Sequence, residues 1–158
     1  MNAAQELLRT NLQACAQRIV KLRQSVEKIE HLLPLNLQAA AALSDEEEES
    51  LDALILRYSQ CVSMIQDQIF RGIAHVEHED ITDKSNRDKA LLMEKLGAIQ
   101  SAEAFGTAIM LRNKFSHHYP DESKSRIERI NLIIEESRFV IATFAAISDY
   151  LRHKGFVD

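Results

Sequence analysis

The sequence predicts an all-α protein, and three observations lead to this fold class. Its 158 residues include only 4 glycines and 2 prolines, so few positions interrupt a helix. Apolar residues recur at steps of three and four in several long segments, which is the spacing of one helix face. No segment shows the strict apolar–polar alternation that is typical of a half-buried strand. We therefore expect residues 1–158 to form a single domain, an antiparallel up-and-down helical bundle.

The first predicted helix carries an unbroken apolar stripe and ends at a proline. Successive members of the stripe alternate between steps of four and three, and they are Leu8, Leu12, Cys15, Ile19, Leu22, Val26, Ile29 and Leu33. Pro34 cannot continue a helix, because it lacks an amide hydrogen and its ring clashes with the preceding turn. Residues 35–43 form a connection whose structure the sequence leaves open.

The second predicted helix begins at Ser44 and runs to about residue 79. Ser44 with Glu47 three residues later matches a capping box, in which each side chain bonds the other residue's backbone amide. The acidic run 45–49 suits a helix N-terminus, where the positive end of the helix dipole lies. The buried face is predicted from a second stripe, formed by Leu51, Leu54, Tyr58, Cys61, Ile65 and Ile69.

The remaining helices complete a bundle of four arms, one of which is broken into two shorter helices. The broken arm consists of residues 85–97, which end at a glycine, and residues 101–117; each half opens at a serine that can act as a cap. The last long helix begins at Asp121 or Ser123 and stops at Gly155. Each of these helices has apolar residues at helical spacing, so each can pack one face inward.

Charge and motif content exclude several functional classes. The net charge is −5, which argues against a protein that binds nucleic acid, DNA included, over its whole surface. Because residues 45–49 carry five negative charges, the rest of the chain is neutral and any anion-binding patch must be local. Neither a membrane-length apolar run nor a signal-peptide pattern is present, so we expect a cytoplasmic protein with buried, reduced cysteines. No motif typical of a metal or cofactor site occurs, so none is expected.

The stretch RNKFSHHY, residues 112–119, concentrates titratable and hydrogen-bonding side chains at a predicted helix end. Arg112 could hold a phosphate, His117 could act as a general base, and Asn113 could contact the phosphate or orient the histidine. On an ideal helix Arg112 and His117 point about 140° apart, so they share a site only if the Arg112 side chain reaches around the helix or if the helix loosens at His117, before Pro120. From spacing alone, the favoured explanation is simpler: cations at a helix C-terminus complement the helix dipole.

The same residues resemble the signature of the HEPN superfamily, R-x4-6-H. Arg112, His117 and Tyr119 match the narrower R-x4-H-x-Y form of HepT-type toxins, and Asn113 fits the usual Arg-Asn beginning. His118, a second histidine, departs from the pattern and leaves the choice of catalytic imidazole open.

The resemblance extends upstream of the motif and covers about residues 50–150. Residues 57–70, which contain the pair Gln66–Asp67, and residues 86–105 follow the layout of HepT-like proteins. Asp67 could face the cleft and orient a cation of the motif, although an ordinary surface carboxylate is an equal alternative. The first long helix matches only in being a helix.

This resemblance implies a function and a set of partners. HepT-type proteins are all-helical homodimers that cut RNA without a metal or cofactor, and their motif residues line a cleft at the dimer interface. By resemblance, Arg112 and His117 are catalytic, and Asn113, His118 and Asp67 support them. A partner nucleotidyltransferase of the MNT type, the antitoxin, silences such toxins by adding AMP to the motif tyrosine, here Tyr119. The alternative is a HEPN subunit that only binds a nucleotidyltransferase or a nucleotide.

Overall fold

The structure, a computed structural model, describes residues 1–117 and 123–158, and these residues form an all-α helical bundle as predicted. A 3₁₀ turn, Glu30–Leu32, follows the first helix, and a π-helical turn, Ile65–Ile69, joins the third helix to the fourth without a break. Along the described chain the α-helices are α1 (Ala3–Ile29), α2 (Leu37–Ala41), α3 (Asp45–Met64), α4 (Phe70–Val76), α5 (Asn86–Leu96), α6 (Ala102–Phe115) and α7 (Ser123–His153). Among the residues described, none of these helices combines the length and apolarity needed to cross a membrane.

The first arm, α1, runs antiparallel to the continuous arm formed by α3 and α4. Near the start of α1, Leu8 packs so closely on Gly72 of α4 that a Cβ added to the glycine would lie 2.7 Å from Leu8 Cδ1. Toward the other end of α1, Ser25 Oγ accepts a hydrogen bond of 2.7 Å from Arg57 of α3. The glycine therefore permits the close approach of the two arms at one end of the bundle.

The last arm, α7, closes the bundle against α1, α2, α3 and α6. Asn131 binds both backbone groups of Leu35, accepting from its amide at 2.7 Å and donating to its carbonyl at 2.9 Å. Arg138 forms an ion pair with Glu30. As the chain advances from Glu30 to Leu35, the partner on α7 moves back from Arg138 to Asn131, so α1 and α7 are antiparallel.

Most predicted helix caps are confirmed. Ser44 and Glu47 form the capping box, with hydrogen bonds of 3.1 and 2.9 Å. Ser85 and Ser101 each accept a hydrogen bond from the backbone amide three residues later. Gly97 adopts the left-handed conformation, with φ at 88°, that a glycine after a helix end provides.

Several predicted boundaries differ from the structure. The α-helical part of α1 ends at Ile29 and continues as a 3₁₀ turn, because the residue before Pro34 is pushed away from α geometry. The open connection 35–43 contains the short helix α2, which the side chain of Asn36 caps at its N-terminus. The second arm ends at Val76 rather than near residue 79. The alternative start of the last helix at residue 121 lies outside the described residues.

The core lies where α1, the α3–α4 arm, α6 and α7 meet. The predicted stripes are buried, except that Leu12 and Leu33 are only half-buried. Tyr58 has no exposed surface, and its hydroxyl donates to the carbonyl of Ala108 at 2.6 Å, which links α3 to α6. The rings of Phe70 and Phe105 lie 5.0 Å apart and make a second link to α6.

Both cysteines are free and buried, as the sequence predicted. Removal from water disfavours the thiolate, and it raises the pKa of Cys15 and of Cys61 to about 12. The two thiols are therefore structural core groups and are protected from reaction while the protein is folded.

We expect Tyr58→Phe to lower the free energy of unfolding by about 1 kcal/mol, because it removes one buried hydrogen bond and keeps the ring. Urea denaturation followed by circular dichroism measures this change. The matched control is Tyr150→Phe, which removes a half-buried hydroxyl bonded to Glu77 at the end of the bundle. If Tyr58→Phe leaves the midpoint unchanged, the hydroxyl does not contribute to holding α6 on α3.

Candidate functional site

The site is centred on Arg112, which lies in the last turn of α6 and is held by two neutral neighbours. One terminal nitrogen of the guanidinium donates to Ser63 Oγ on α3 at 3.0 Å. The other terminal nitrogen and Nε donate to Asn113 Oδ1 at 3.1 and 3.3 Å. The side chain is only half-exposed, so α3 and α6 together set the direction of its charge.

These contacts leave Arg112 able to bind an anion. A guanidinium has five N–H groups, and the contacts to Ser63 and Asn113 occupy three of them. The ion pairs found between described residues involve other side chains, so no carboxylate within that part of the chain neutralises Arg112 at ion-pair distance. An arginine that is oriented but unneutralised suits phosphate, whose oxygens match its N–H geometry.

The helix ends at Phe115, before the predicted end at residue 117 and so between Arg112 and His117. The last residue of α6 is Phe115, and Ser116 caps the end by donating twice to the carbonyl of Asn113, from its amide at 3.2 Å and its hydroxyl at 2.8 Å. His117 follows outside the helix and is exposed. The 140° separation of an ideal helix therefore does not apply, and the chain direction after Ser116 decides where the imidazole points.

His118 and Tyr119 lie outside the described residues, so the choice between the two imidazoles and the position of the tyrosine hydroxyl stay predictions.

The predicted supporting residue Asp67 is exposed and lies in the π-helical turn. Its Oδ1 accepts a hydrogen bond of 3.2 Å from Gln66 Nε2. Within the described part of the chain, the hydrogen-bond partners of Arg112 are Ser63 and Asn113, so Ser63 rather than Asp67 orients this cation. The ordinary surface role, which the sequence left open for Asp67, fits these contacts.

Gln66, next to Asp67, is buried, which the sequence did not reveal. It is 5% exposed, and within the described structure its Oε1 is buried without a hydrogen-bond partner. A π-helical turn contains one residue more than an α-turn and changes which side chains face inward, and such turns are frequent at functional sites. In the sequence, the Gln66–Asp67 pair marks this segment, but the inward direction of the Gln66 amide depends on the π-turn.

Arg112 also lines a groove of about 890 Å³ between α5 and α6. Gln66 reaches the same groove from the π-turn, and Asn113 lines the end near Arg112. The walls carry two arginines and two glutamates, together with small and apolar residues from both helices. One glutamate, Glu94, accepts from the amide of Ala102 at 2.9 Å and so caps α6 from α5. The groove thus combines charge, amide groups and apolar surface in one depression.

Two groups in this part of the bundle have raised pKa values, the buried Tyr58 hydroxyl and the half-buried Glu136 carboxyl. Burial raises the pKa of the Tyr58 hydroxyl, and the charge of Glu136 raises it further, while the charge of Arg112 opposes both effects. Burial, followed by repulsion from Glu135, also raises the pKa of Glu136. The Tyr58 hydroxyl therefore keeps its proton, which it donates to the carbonyl of Ala108.

The described residues contain no group of three or more His, Cys, Asp or Glu side chains placed to hold a metal ion. His75, in α4, and His78, just after it, are both exposed.

Comparisons with protein-family models, with curated proteins and with solved structures found no match to this chain. The function is therefore inferred from the residues and geometry of the site.

Proposed function

We propose that this protein is an endoribonuclease that cuts RNA without a metal, with Arg112 as phosphate clamp and His117 as general base. The observation that carries the proposal is the state of Arg112. It is oriented by Ser63 and Asn113, it is not ion-paired within the described residues, and it faces a groove. A cation held in this way is arranged in advance for an anion, which is what transition-state stabilisation requires.

The reaction follows from the chemistry of the two side chains. The imidazole of His117 takes the proton of a ribose 2′-hydroxyl, and the 2′-oxygen attacks the adjacent phosphorus. Negative charge grows on the phosphorane oxygens, and Arg112 stabilises it. The bond from phosphorus to the 5′-oxygen then breaks, and that oxygen takes back a proton from an imidazolium. The products are a 2′,3′-cyclic phosphate and a free 5′-hydroxyl, with no net change in protons.

Two observations support the assignment of the histidine. The resemblance of residues 112–119 to the R-x4-H-x-Y motif pairs this arginine with this histidine. The end of α6 at Phe115 also releases His117 from helical geometry, so its imidazole is not required to point away from Arg112. A neutral-range pKa suits histidine to both proton transfers.

The same motif suggests how the activity would be controlled. We propose that a partner nucleotidyltransferase of the MNT type adds AMP to Tyr119, as the resemblance to HepT-type toxins implies. Each added phosphate would compete with RNA for the guanidinium of Arg112 and would also fill space beside it. Antitoxin action would then be electrostatic and steric at the same position.

We also propose that the protein works as a homodimer with the end of α6 at or beside the interface. One arginine and one histidine supply half of a complete acid–base site, and a second copy across a two-fold axis would supply the other half. The half-buried Phe115, the last residue of α6, supports an apolar contact at this end of the helix.

Replacing either catalytic side chain should abolish cleavage and leave the fold unchanged. We expect Arg112→Ala and His117→Ala to slow cleavage of a labelled RNA by about 10²–10⁴, the usual effect of losing such a group. The matched controls are Lys114→Ala, which removes an exposed cation from the same helix end, and His75→Ala, which removes an exposed histidine elsewhere. Both should cut at the rate of the unchanged protein.

Product analysis and chelation complete this test. The 5′ fragment should end in a 2′,3′-cyclic phosphate, and cleavage should continue in EDTA. Loss of activity in EDTA, or full activity in both alanine variants, would refute the mechanism. If no RNA is cut but a nucleotidyltransferase binds, the protein is the non-catalytic subunit instead.

Control through Tyr119 is tested by intact mass spectrometry after co-expression with the candidate nucleotidyltransferase. We expect mass increments of one or more AMP units, accompanied by loss of RNA cleavage. Tyr119→Phe should show neither change, whereas the control Tyr150→Phe should still be modified. AMP increments that persist in Tyr119→Phe would contradict the assignment.

Sedimentation velocity tests the dimer. At micromolar concentration we expect a species of twice the mass of one chain, which is 18.0 kDa. A dilution series should show dissociation if the contact is limited to the end of α6. A single monomeric species at every concentration would show that each active site is built from one chain.

A further inference from the structure

The groove between α5 and α6 contains an acceptor that the proposed cleavage chemistry does not use. Gln66 lines this groove, it is 5% exposed, and its Oε1 has no partner among the described residues. The other half of the amide is engaged, because Nε2 donates to Asp67. A buried carbonyl oxygen without a donor is costly, since it loses water and receives nothing in return. Such a group in a groove is suited to accept a hydrogen bond from a ligand.

The direction of the amide is defined by its neighbour. Because Asp67 Oδ1 can only accept when the carboxylate is ionised, the nitrogen of Gln66 must face Asp67 and the oxygen must face away from it. The terminal torsion of glutamine is soft, so a small rotation can bring Oε1 toward an entering donor. Of the two ends of this amide, the oxygen is therefore the one left to pair with a ligand.

The walls of the groove suit a flat ring. Leu91 of α5 and Met110 of α6 both line it, and they are 42% and 59% exposed. Gly106 of α6 also lines the groove and adds no side-chain bulk. Apolar side chains and a polarisable thioether are good contacts for the face of an aromatic ring.

The groove also places a phosphate-binding cation beside this ring site. Arg112 lines the same groove as Gln66 and Met110, and among the described residues it is not ion-paired. A cation for phosphate, apolar walls for a ring and one acceptor for the ring edge are together the requirements of a nucleotide.

We propose that this groove binds the nucleobase attached to the phosphate held by Arg112, and that Gln66 selects bases carrying an amino group. The assignment to RNA rests on the proposed function, whereas nucleotide binding by the groove can be measured without it. Adenine, cytosine and guanine present exocyclic amino hydrogens to the acceptor. Uracil presents a single imide N–H, which lies between two carbonyl oxygens. Those carbonyl oxygens would be repelled by Gln66 Oε1 and by the groove carboxylates Glu94 and Glu103.

Titration calorimetry with 3′-mononucleotides tests the proposal directly. We expect 3′-AMP, 3′-CMP and 3′-GMP to bind about tenfold more tightly than 3′-UMP, the discrimination that about one hydrogen bond supplies. Gln66→Met has nearly the same shape but lacks the acceptor. This variant should therefore bind all four nucleotides with about the same affinity. The control is Gln68→Met in the same π-turn, because Gln68 is exposed and does not line the groove.

A thermal melt separates recognition from a structural role. Because Gln66→Met removes an unpaired buried oxygen, it should melt at the same temperature as the unchanged protein or higher. A marked drop in the melting temperature would show that the amide serves the fold and would overturn the proposal. Unaltered discrimination in Gln66→Met would overturn it as well, as would equal binding of all four nucleotides.

Cleavage mapping on a mixed-sequence RNA distinguishes this inference from the proposed function. Cuts that follow amino-bearing bases, and that lose this preference in Gln66→Met, support both. Cuts without base preference would overturn the role of Gln66 and leave the nuclease in place. Selective nucleotide binding without any cleavage would leave the groove assignment and remove the nuclease. If Gln66→Met or Met110→Ala instead changes the sedimentation of the protein, the groove is covered by a second copy and the base site is overturned.

Discussion

The site depends on how α6 is held against the α3–α4 arm. Tyr58, fully buried on α3, packs its ring in the core and bonds the carbonyl of Ala108 on α6. The contact between Phe70 and Phe105 holds α6 to the same arm after the π-turn. Buried rings contribute large apolar areas, and the hydroxyl bond adds direction, so the position of α6 is defined along and around its axis. Every group of the site is placed relative to this packing.

The orientation of Arg112 depends on this packing. Ser63 lies on α3 and Asn113 on α6, so the guanidinium is oriented only while the two helices keep their relative position. Neutral partners fix the direction of the charge without cancelling it, which a carboxylate partner would do. The end of α6 one turn later then allows the chain to change direction at His117. The oriented charge of Arg112 fits its role as phosphate clamp in the proposed cleavage.

The π-turn has a cost that the rest of the bundle offsets. It carries Gln66 into the interior with an oxygen that has no partner among the described residues, whereas most buried acceptors in folded proteins are paired. An apolar residue at this position would give a more stable bundle of the same shape. Proteins often retain such local costs where a ligand is bound, because the unsatisfied group gains its partner only in the complex. Leu91 and Met110, which line the same groove, are exposed to water. A ligand ring that covers them would bury this apolar surface and so stabilise the complex.

By itself the sequence determined the helical class, the order of the arms, the caps at Ser44, Ser85 and Ser101, and the end of α5 at Gly97. These features depend on the spacing of apolar residues and on hydrogen bonds between groups a few residues apart. Both partners of each such hydrogen bond therefore lie in the same short segment of sequence. Only the tertiary structure decided that Ser63 and not Asp67 orients Arg112, that Gln66 faces inward, and that α5 and α6 leave a groove. Ser63 and Arg112 are 49 residues apart, and the π-turn changes the facing of Gln66. Helical spacing cannot supply either fact, because both arise from how packed helices meet.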